Sequence, residues 1–540
     1  MAKVYVAGFR TLARDRNGRQ EEVVLQPPLY ETVLDTGSGE AHSANMPDAV
    51  TVIRVHSDGD VQLSVGPGKR AGVSSWRLTT GQTEYLGIVP GVGARVSAIT
   101  TGSAILNNPL VALLGPSTTH RNLVESGHTL YALTSGPHNW SHAISPRFRH
   151  LNYYNASDTL GRNFTGNNYG LDSDPISNQV TRIAAIKASN AGIVIWNSGR
   201  GAVGDFVAGQ TVAGYCDPVK AGLLDLATSG KVIIWENLWP RHTLAGGIWA
   251  SGGEGRSLLL QVNAHMAAWC FDNGITVADV WSIMVDQTDP DLNPKANYYT
   301  SDGIHYAAAG AYQVGVYYAG LMAALCAAPS TYDHTEVANI APSATMTGTA
   351  GDATGNGASG TAPDNWTVSR GSVGNARSLT ASIESIGGAN YVVLTLGSSG
   401  TVAAAGEGGT LRPTTTPTLA LLTVNNWYQA RCTLICDNWA GWSGFKLLVS
   451  DNNGTVNGAA ALTPGSGAGG ETPVTGFTGS NQYAVRPDAR TLILTSMPFK
   501  AGATGCTIRF NFNYVNASGG AVIKVGKFDL RQVSDPATII

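Results

Sequence analysis

Three residues of this 540-residue chain have the types and the order for nucleophilic acyl chemistry: Ser117, Asp302 and His305. Ser117 follows the apolar run VALLG, residues 111–115, and the pair Gly115-Pro116. A strand there would deliver its hydroxyl to a carboxyl edge, where α/β sheets place their ligands. Asp302 and His305 stand three residues apart in SDGIH, just ahead of an Ala-rich helical stretch. An Asp at that offset can hold an imidazole by its Nδ1–H while Nε2 faces a serine and takes its proton. The set could attack an ester carbonyl, form a covalent acyl-enzyme and release it with water that the imidazole activates. No metal or organic cofactor is needed for those steps. His120, three residues beyond Ser117, reads as a surface helical position in preference to a second site histidine.

The elements that must position these residues run from about Ala104 to Ala328. Apolar runs (VALLG, AGIVIWN, KVIIWENLW, ITVADVW) alternate with helix-length segments (TRIAAIKASN, KAGLLDLA, SLLLQVNAHMAAWCFDNG and the Ala-rich stretch). That alternation predicts a parallel sheet of βα units with its chemistry at the carboxyl ends. The uncharged stretch from Ala307 to Ala328 approaches membrane length, but it is rich in Ala and Gly and carries Gln313, Tyr312, Tyr317 and Tyr318. It therefore reads as a packed helix, not a span.

The flanks have a different texture. Val50 to Ile99 is a series of short alternating runs broken by Asp58-Gly59, Pro67-Gly68 and Pro90-Gly91, which predicts antiparallel strands in a small β-sandwich or barrel over residues 1–103. The hydrolytic segment is placed at 104–330, and an Ala-, Thr-, Gly-, Ser- and Pro-rich linker and lead-in at 331–365. Regularly spaced strands over 366–540 suggest a β-sandwich of jelly-roll type. Exposed rings would give it a sugar-binding face, with Trp366, Trp427, Trp439, Trp442 and Tyr483 as candidates.

Composition narrows the partners. Lys+Arg 34 against Asp+Glu 37 gives a net charge of −3 with only 13% charged residues, which argues against nucleic acid. The 66 glycines describe a turn-rich chain, while 43% hydrophobic residues suffice for a core, so disorder and collagen are both excluded. The six cysteines are too few for a disulfide framework in this length. Cys432 and Cys436 read as strand packing, since a zinc site would need further ligands nearby. MAKVYVAGFRTLARDRNGRQ holds no apolar stretch long enough for a secretory signal, so Sec export is not expected.

Gly115-Pro116-Ser117 after the first strand and Ser301-Asp302-Gly303-Ile304-His305 before the last helix resemble the SGNH, or GDSL-type, hydrolases. Asn168-Tyr169-Gly170-Leu171-Asp172-Ser173 sits where that family has its Asn-x-Gly-x-Ser-Gly loop, and AGIVIWNSGRGAVGD where it has a strand ending in Gly-x-Asn-Asp. The resemblance covers roughly residues 105–328 and implies a central flavodoxin-like parallel sheet. It makes Ser117 the nucleophile, His305 the general base and Asp302 the group that orients the imidazole. It also implies an oxyanion hole from the serine amide, a second-loop amide and a third-loop asparagine. Here Pro116 replaces the family's acidic residue, Ser173 stands at the second loop's glycine, and Gly199-Arg200-Gly201 replaces Gly-x-Asn. The donors left are Gly170, the Ser173 amide and Asn197.

The resemblance implies a carboxylic ester hydrolase. With a β domain beside it, removal of O-acetyl groups from a cell-surface polysaccharide is the expected activity. The N-terminal text and the segment SATMTGTAGDATGNGASGTAPDNWTV are similar in style to tailed-phage structural proteins and phage-associated hydrolases, which implies a virion component anchored to other virion proteins through its N-terminal domain. A homo-oligomer is compatible with that setting, although no coiled-coil heptad argues for one. Two readings compete: a non-catalytic virion structural or receptor-binding protein with a degenerate SGNH fold, and an ordinary bacterial esterase with accessory β domains.

Overall fold

Strands covered on both faces must be apolar along their whole length, and the runs of the central segment have that character. The computed structural model describes most of residues 2–536; outside the described residues lie 15–19, 101–109, 123–130, 155–163, 200–205, 300–302, 327–332, 372–376, 398–406, 415–421, 463–490, 515–520 and shorter stretches. The central strands are β1 (Leu110–Gly115), β2 (Arg149–His150), β3 (Asn168–Gly170), β4 (Ile193–Trp196), β5 (Val232–Glu236) and β6 (Thr276–Ala278). All pair in parallel in the order β2–β1–β4–β5–β6. β3 shares the outer edge of β1 with β2, running beside Leu113–Gly115 while β2 runs beside Leu110–Val111.

The strand alternation sorts side chains between two cores. Ala112, Leu114, Val194, Trp196, Ile233 and Trp235 face helices α2 (Val212–Ala227) and α3 (Glu254–Asp272), with Val219, Leu223, Leu259 and Met266 closing that side. Val111, Leu113, Ile193, Ile195 and Ile234 point the other way, toward α1 (Pro137–Ile144) and α4 (Ala308–Leu325). Each such Leu, Ile or Val contributes about 1.5–3 kcal/mol relative to exposure. The stretch read as a packed helix is α4, and among the described residues no helix is long and apolar enough to cross a membrane.

The second core does not stop at α4. It continues through Trp366, Leu394, Leu434, Leu447, Phe510 and Leu530 of two large, mainly antiparallel C-terminal sheets. Short strands of the central segment join those sheets: Tyr131–Ala132 pairs with Ala460–Ala461, and Tyr154 pairs with Phe499. α1 also packs against the strand Thr491–Thr495. The segment read as a linker is stitched in as well: Ile340 N–H donates to Leu530 O at 2.9 Å, and Asn339 bridges Phe528 O and Leu530 N.

Three of the five rings read as a sugar-binding face are core residues instead. Trp366, Trp427 and Trp442 are buried, Trp366 against Phe528 with its indole N–H given to Ser343 O, and Trp442 edge-on to Phe512. Rings this large stabilise a core most when fully removed from water, and the strand parity carries these three inward. Trp439 and Tyr483 lie outside the described residues. Cys432 and Cys436, four apart on one strand, are both buried, and Cys436 Sγ donates to Val522 O at 3.5 Å.

At the other end, two four-stranded antiparallel sheets enclose a separate core of Val4, Val6, Leu34, Ile53, Val55, Leu63, Leu78 and Val96. A chain cut after residue 330 exposes the shared core and loses its partner strands, so it is expected to aggregate on purification. Deleting 1–103 is expected to leave the remainder folded, with its melting temperature within about 5 °C of the full chain. Size-exclusion chromatography and thermal melts check both.

Candidate active site

β1 ends at Gly115, whose φ of +154° suits glycine, and a Cβ there would collide with Thr119 Oγ1 and the Asn197 carbonyl. The chain then passes Pro116 into a single helical turn, Ser117–His120, closed by Thr119 N–H to Pro116 O at 2.9 Å. Buried Asn122 holds that turn from below. Its Nδ2 donates to Thr118 O and Thr119 O at 3.3 and 3.2 Å, and its Oδ1 accepts the His138 amide of α1 at 2.9 Å. Asn168 Nδ2 donates to Thr119 O at 3.0 Å, so the second loop grips the same turn. Ser117 is therefore held at the carboxyl edge of the sheet. His120 ends the turn.

His305 comes from the loop between β6 and α4. Tyr306 bridges to Tyr299, Ala307 N–H donates to Tyr298 O at 3.0 Å, and Gly303 O accepts the His242 amide at 2.9 Å. The loop brings His305 Nε2 to 2.7 Å from Ser117 Oγ, across 188 residues of sequence. With its own proton on Nδ1, the imidazole accepts the serine hydroxyl at that distance, and both residues are only half-buried, so a substrate can reach them. Asp302 lies outside the described residues.

The three oxyanion candidates fare differently. The Gly170 amide donates to Asn168 Oδ1 at 2.9 Å and is engaged in shaping its own loop. Ser173 is exposed in a turn with φ of +56°. Asn197 is buried, with one Nδ2 proton given to Glu236 Oε1 at 2.5 Å and its Oδ1 accepting the Gly199 amide at 3.0 Å. The buried Glu236 carboxylate needs donors, and that need claims the asparagine.

Residues that sequence reading passed over hold the loops. Gln179, fully buried, donates to Asp174 O and Ser198 O at 2.9 and 3.3 Å and accepts Trp196 Nε1 at 2.7 Å, tying the second loop to the third. Ser198 Oγ accepts the Tyr215 hydroxyl and Trp235 Nε1 at 3.0 and 3.1 Å. His242, on the loop after β5, stacks on Tyr299 with centroids 4.8 Å apart and accepts the Leu244 amide on Nδ1 at 3.0 Å. The available signal was a glutamate closing an otherwise apolar strand, as in VIIWE.

No family model matches the chain, and no curated protein matches it. Among solved structures the chain is similar to a putative lipolytic protein of the G-D-S-L family from Desulfitobacterium hafniense, at 16% identity over 40% of this chain and 99% of that one, with a TM-score of 0.29. It is similar to a carbohydrate esterase family 3 protein from Talaromyces cellulolyticus at 14% identity, over 40% and 97% of the two chains, with a TM-score of 0.28. The enzymatically active domain of tailspike protein 4 from bacteriophage CBA120 shows 12% identity over 32% of this chain and 20% of that one, with a TM-score of 0.19.

Burial depresses the pKa of His242 below its ordinary 6.5, with Asp289 opposing, Arg256 reinforcing and Asp291 opposing. The unfolded chain then binds the proton first, so this histidine's contribution to stability is present above about pH 6.5 and is lost as pH falls toward its folded value. His242→Asn keeps an acceptor for the Leu244 amide and removes the titration. Its melting temperature is expected to fall less than that of the wild type between about pH 7 and pH 5, as thermal melts would show.

Proposed function

We propose that this chain is a serine carboxylic ester hydrolase that removes acyl groups, O-acetyl above all, from a cell-surface polysaccharide as part of a phage virion. The observation that carries the reading is the 2.7 Å contact between His305 Nε2 and Ser117 Oγ at the carboxyl edge of the parallel sheet. The imidazole takes the hydroxyl proton as Oγ attacks the ester carbonyl. The same proton goes to the departing alcohol when the tetrahedral intermediate collapses to the acyl-enzyme. Water, deprotonated by His305, then releases the acid and restores the serine. Asp302 orients the imidazole in this scheme.

In this scheme the oxyanion is met by backbone amides, that of Ser117 and that of Ser173, while Asn197 bonds Glu236 behind the third loop. A preformed donor of this kind contributes about 10²–10³ in rate. With three of the tryptophans in the core, sugar contacts fall to the loops at the carboxyl edge, where Leu171 and Leu244 are exposed. The N-terminal sheets, with their own core, serve as the attachment to other virion proteins.

Hydrolysis of p-nitrophenyl acetate tests the chemistry. Ser117→Ala and His305→Ala are each expected to lower kcat/KM by at least about 10³-fold. Equal turnover in all three proteins would overturn the reading in favour of a binding protein. Acetate release from an acetylated surface polysaccharide, compared with the same polymer after chemical deacetylation, tests the substrate class.

A further inference from the structure

β5 ends on Glu236, a carboxylate only 2% exposed that follows the buried Ile233, Ile234 and Trp235. Burying such a group costs several kcal/mol unless donors fill its oxygens. The donors here come from three different parts of the site. Asn197 Nδ2 and the Tyr306 hydroxyl reach Oε1 at 2.5 and 3.2 Å, and the Tyr318 hydroxyl of α4 reaches Oε2 at 2.8 Å.

Two of these donors lead directly to the reacting pair. Asn197 opens the third loop and fixes the Gly199 amide on its own Oδ1. Gly199 lies so close beneath Pro116 that a Cβ on it would stand 2.9 Å from the proline ring, and Pro116 adjoins Ser117. Tyr306 is the chain neighbour of His305, and its hydroxyl also receives Trp239 Nε1 at 3.2 Å. Burial, and then the nearby Glu236 charge, push the Tyr318 phenol well above its ordinary range, which keeps it a donor.

We propose that Glu236 is a positioning residue of this centre: one buried carboxylate ties the loop beneath Ser117 to the segment carrying His305 and so sets the distance between them. The proposal rests on the serine esterase reading. Its leverage is geometric, because misplacing a reacting group by about 1 Å can cost about 10²-fold in rate.

Glu236→Gln, Glu236→Ala and Tyr306→Phe, beside wild type and Ser117→Ala, test it on p-nitrophenyl acetate, with melting curves for each. Glutamine can keep the network, since its carbonyl oxygen accepts from Asn197 and Tyr306 while its amide donates to a turned Tyr318 hydroxyl. It is expected to hold kcat within about threefold, whereas alanine lowers kcat by about ten- to a hundredfold with KM within about threefold. Tyr306→Phe is expected to lower kcat by about three- to tenfold. A folded Glu236→Ala protein with wild-type kcat would overturn the proposal. So would a loss that glutamine does not restore. If the alanine variant does not fold, Tyr306→Phe and Asn197→Ala carry the test, and unchanged kcat in both sinks it. Ser117-dependent turnover with all Glu236 and Tyr306 variants equal to wild type removes this proposal alone. Absence of Ser117-dependent turnover in the wild type removes the esterase reading and this proposal together.

Discussion

There is no room for a side chain at residue 115, and the approach that leaves no room assembles the site. Where a Cβ would stand, the Thr119 hydroxyl and the Asn197 carbonyl already do. Gly115 O accepts the Leu171 amide at 3.1 Å, and Leu114 O accepts the Asn197 amide at 3.0 Å. The ends of β1, β3 and β4 are thus drawn together over one glycine, and the chain leaves that junction straight into Ser117. A larger residue would separate the second and third loops from the turn that carries the serine.

Around that junction, rigidity comes from buried polar side chains. Gln179, Ser198, Tyr215, Trp235, Asn197 and Glu236 each bond across an element boundary, so the third loop is held from several sides. Each bond adds only about 0.5–1.5 kcal/mol net, but an unpaired partner in the same place would cost more, which makes one arrangement strongly preferred. Support of this kind is what holds side chains such as Ser117 and His305 in one mutual geometry.

The two faces of the sheet lead to different neighbours. One is closed by α2 and α3 within the central segment. The other passes through α1 and α4 into the C-terminal sheets, which also receive Tyr131–Ala132 and Asn152–Tyr154 as strands. The central segment is therefore not an autonomous body with an appended module. The N-terminal sheets enclose a core of their own.

Much of the framework was legible in the chain itself. Uncharged apolar runs alternating with helical stretches specified a parallel sheet, since only strands covered on both faces read that way. Ser117 past a strand end and His305 before the last helix could be picked as candidates from residue type and order, because α/β sheets place their ligands at the carboxyl edge. What only the tertiary structure decided are the contacts between distant segments. Asn197 could have faced the serine or the interior, and the unmet lone pairs of Glu236, 39 residues away, drew it inward. Trp366, Trp427 and Trp442 have the chemistry of a sugar platform, but strand parity and the neighbouring Phe528 and Phe512 settle them in the core. Periodicity reports which side of an element is apolar. It is silent on which distant chain covers that side, because that choice belongs to packing among segments that sequence separation does not encode.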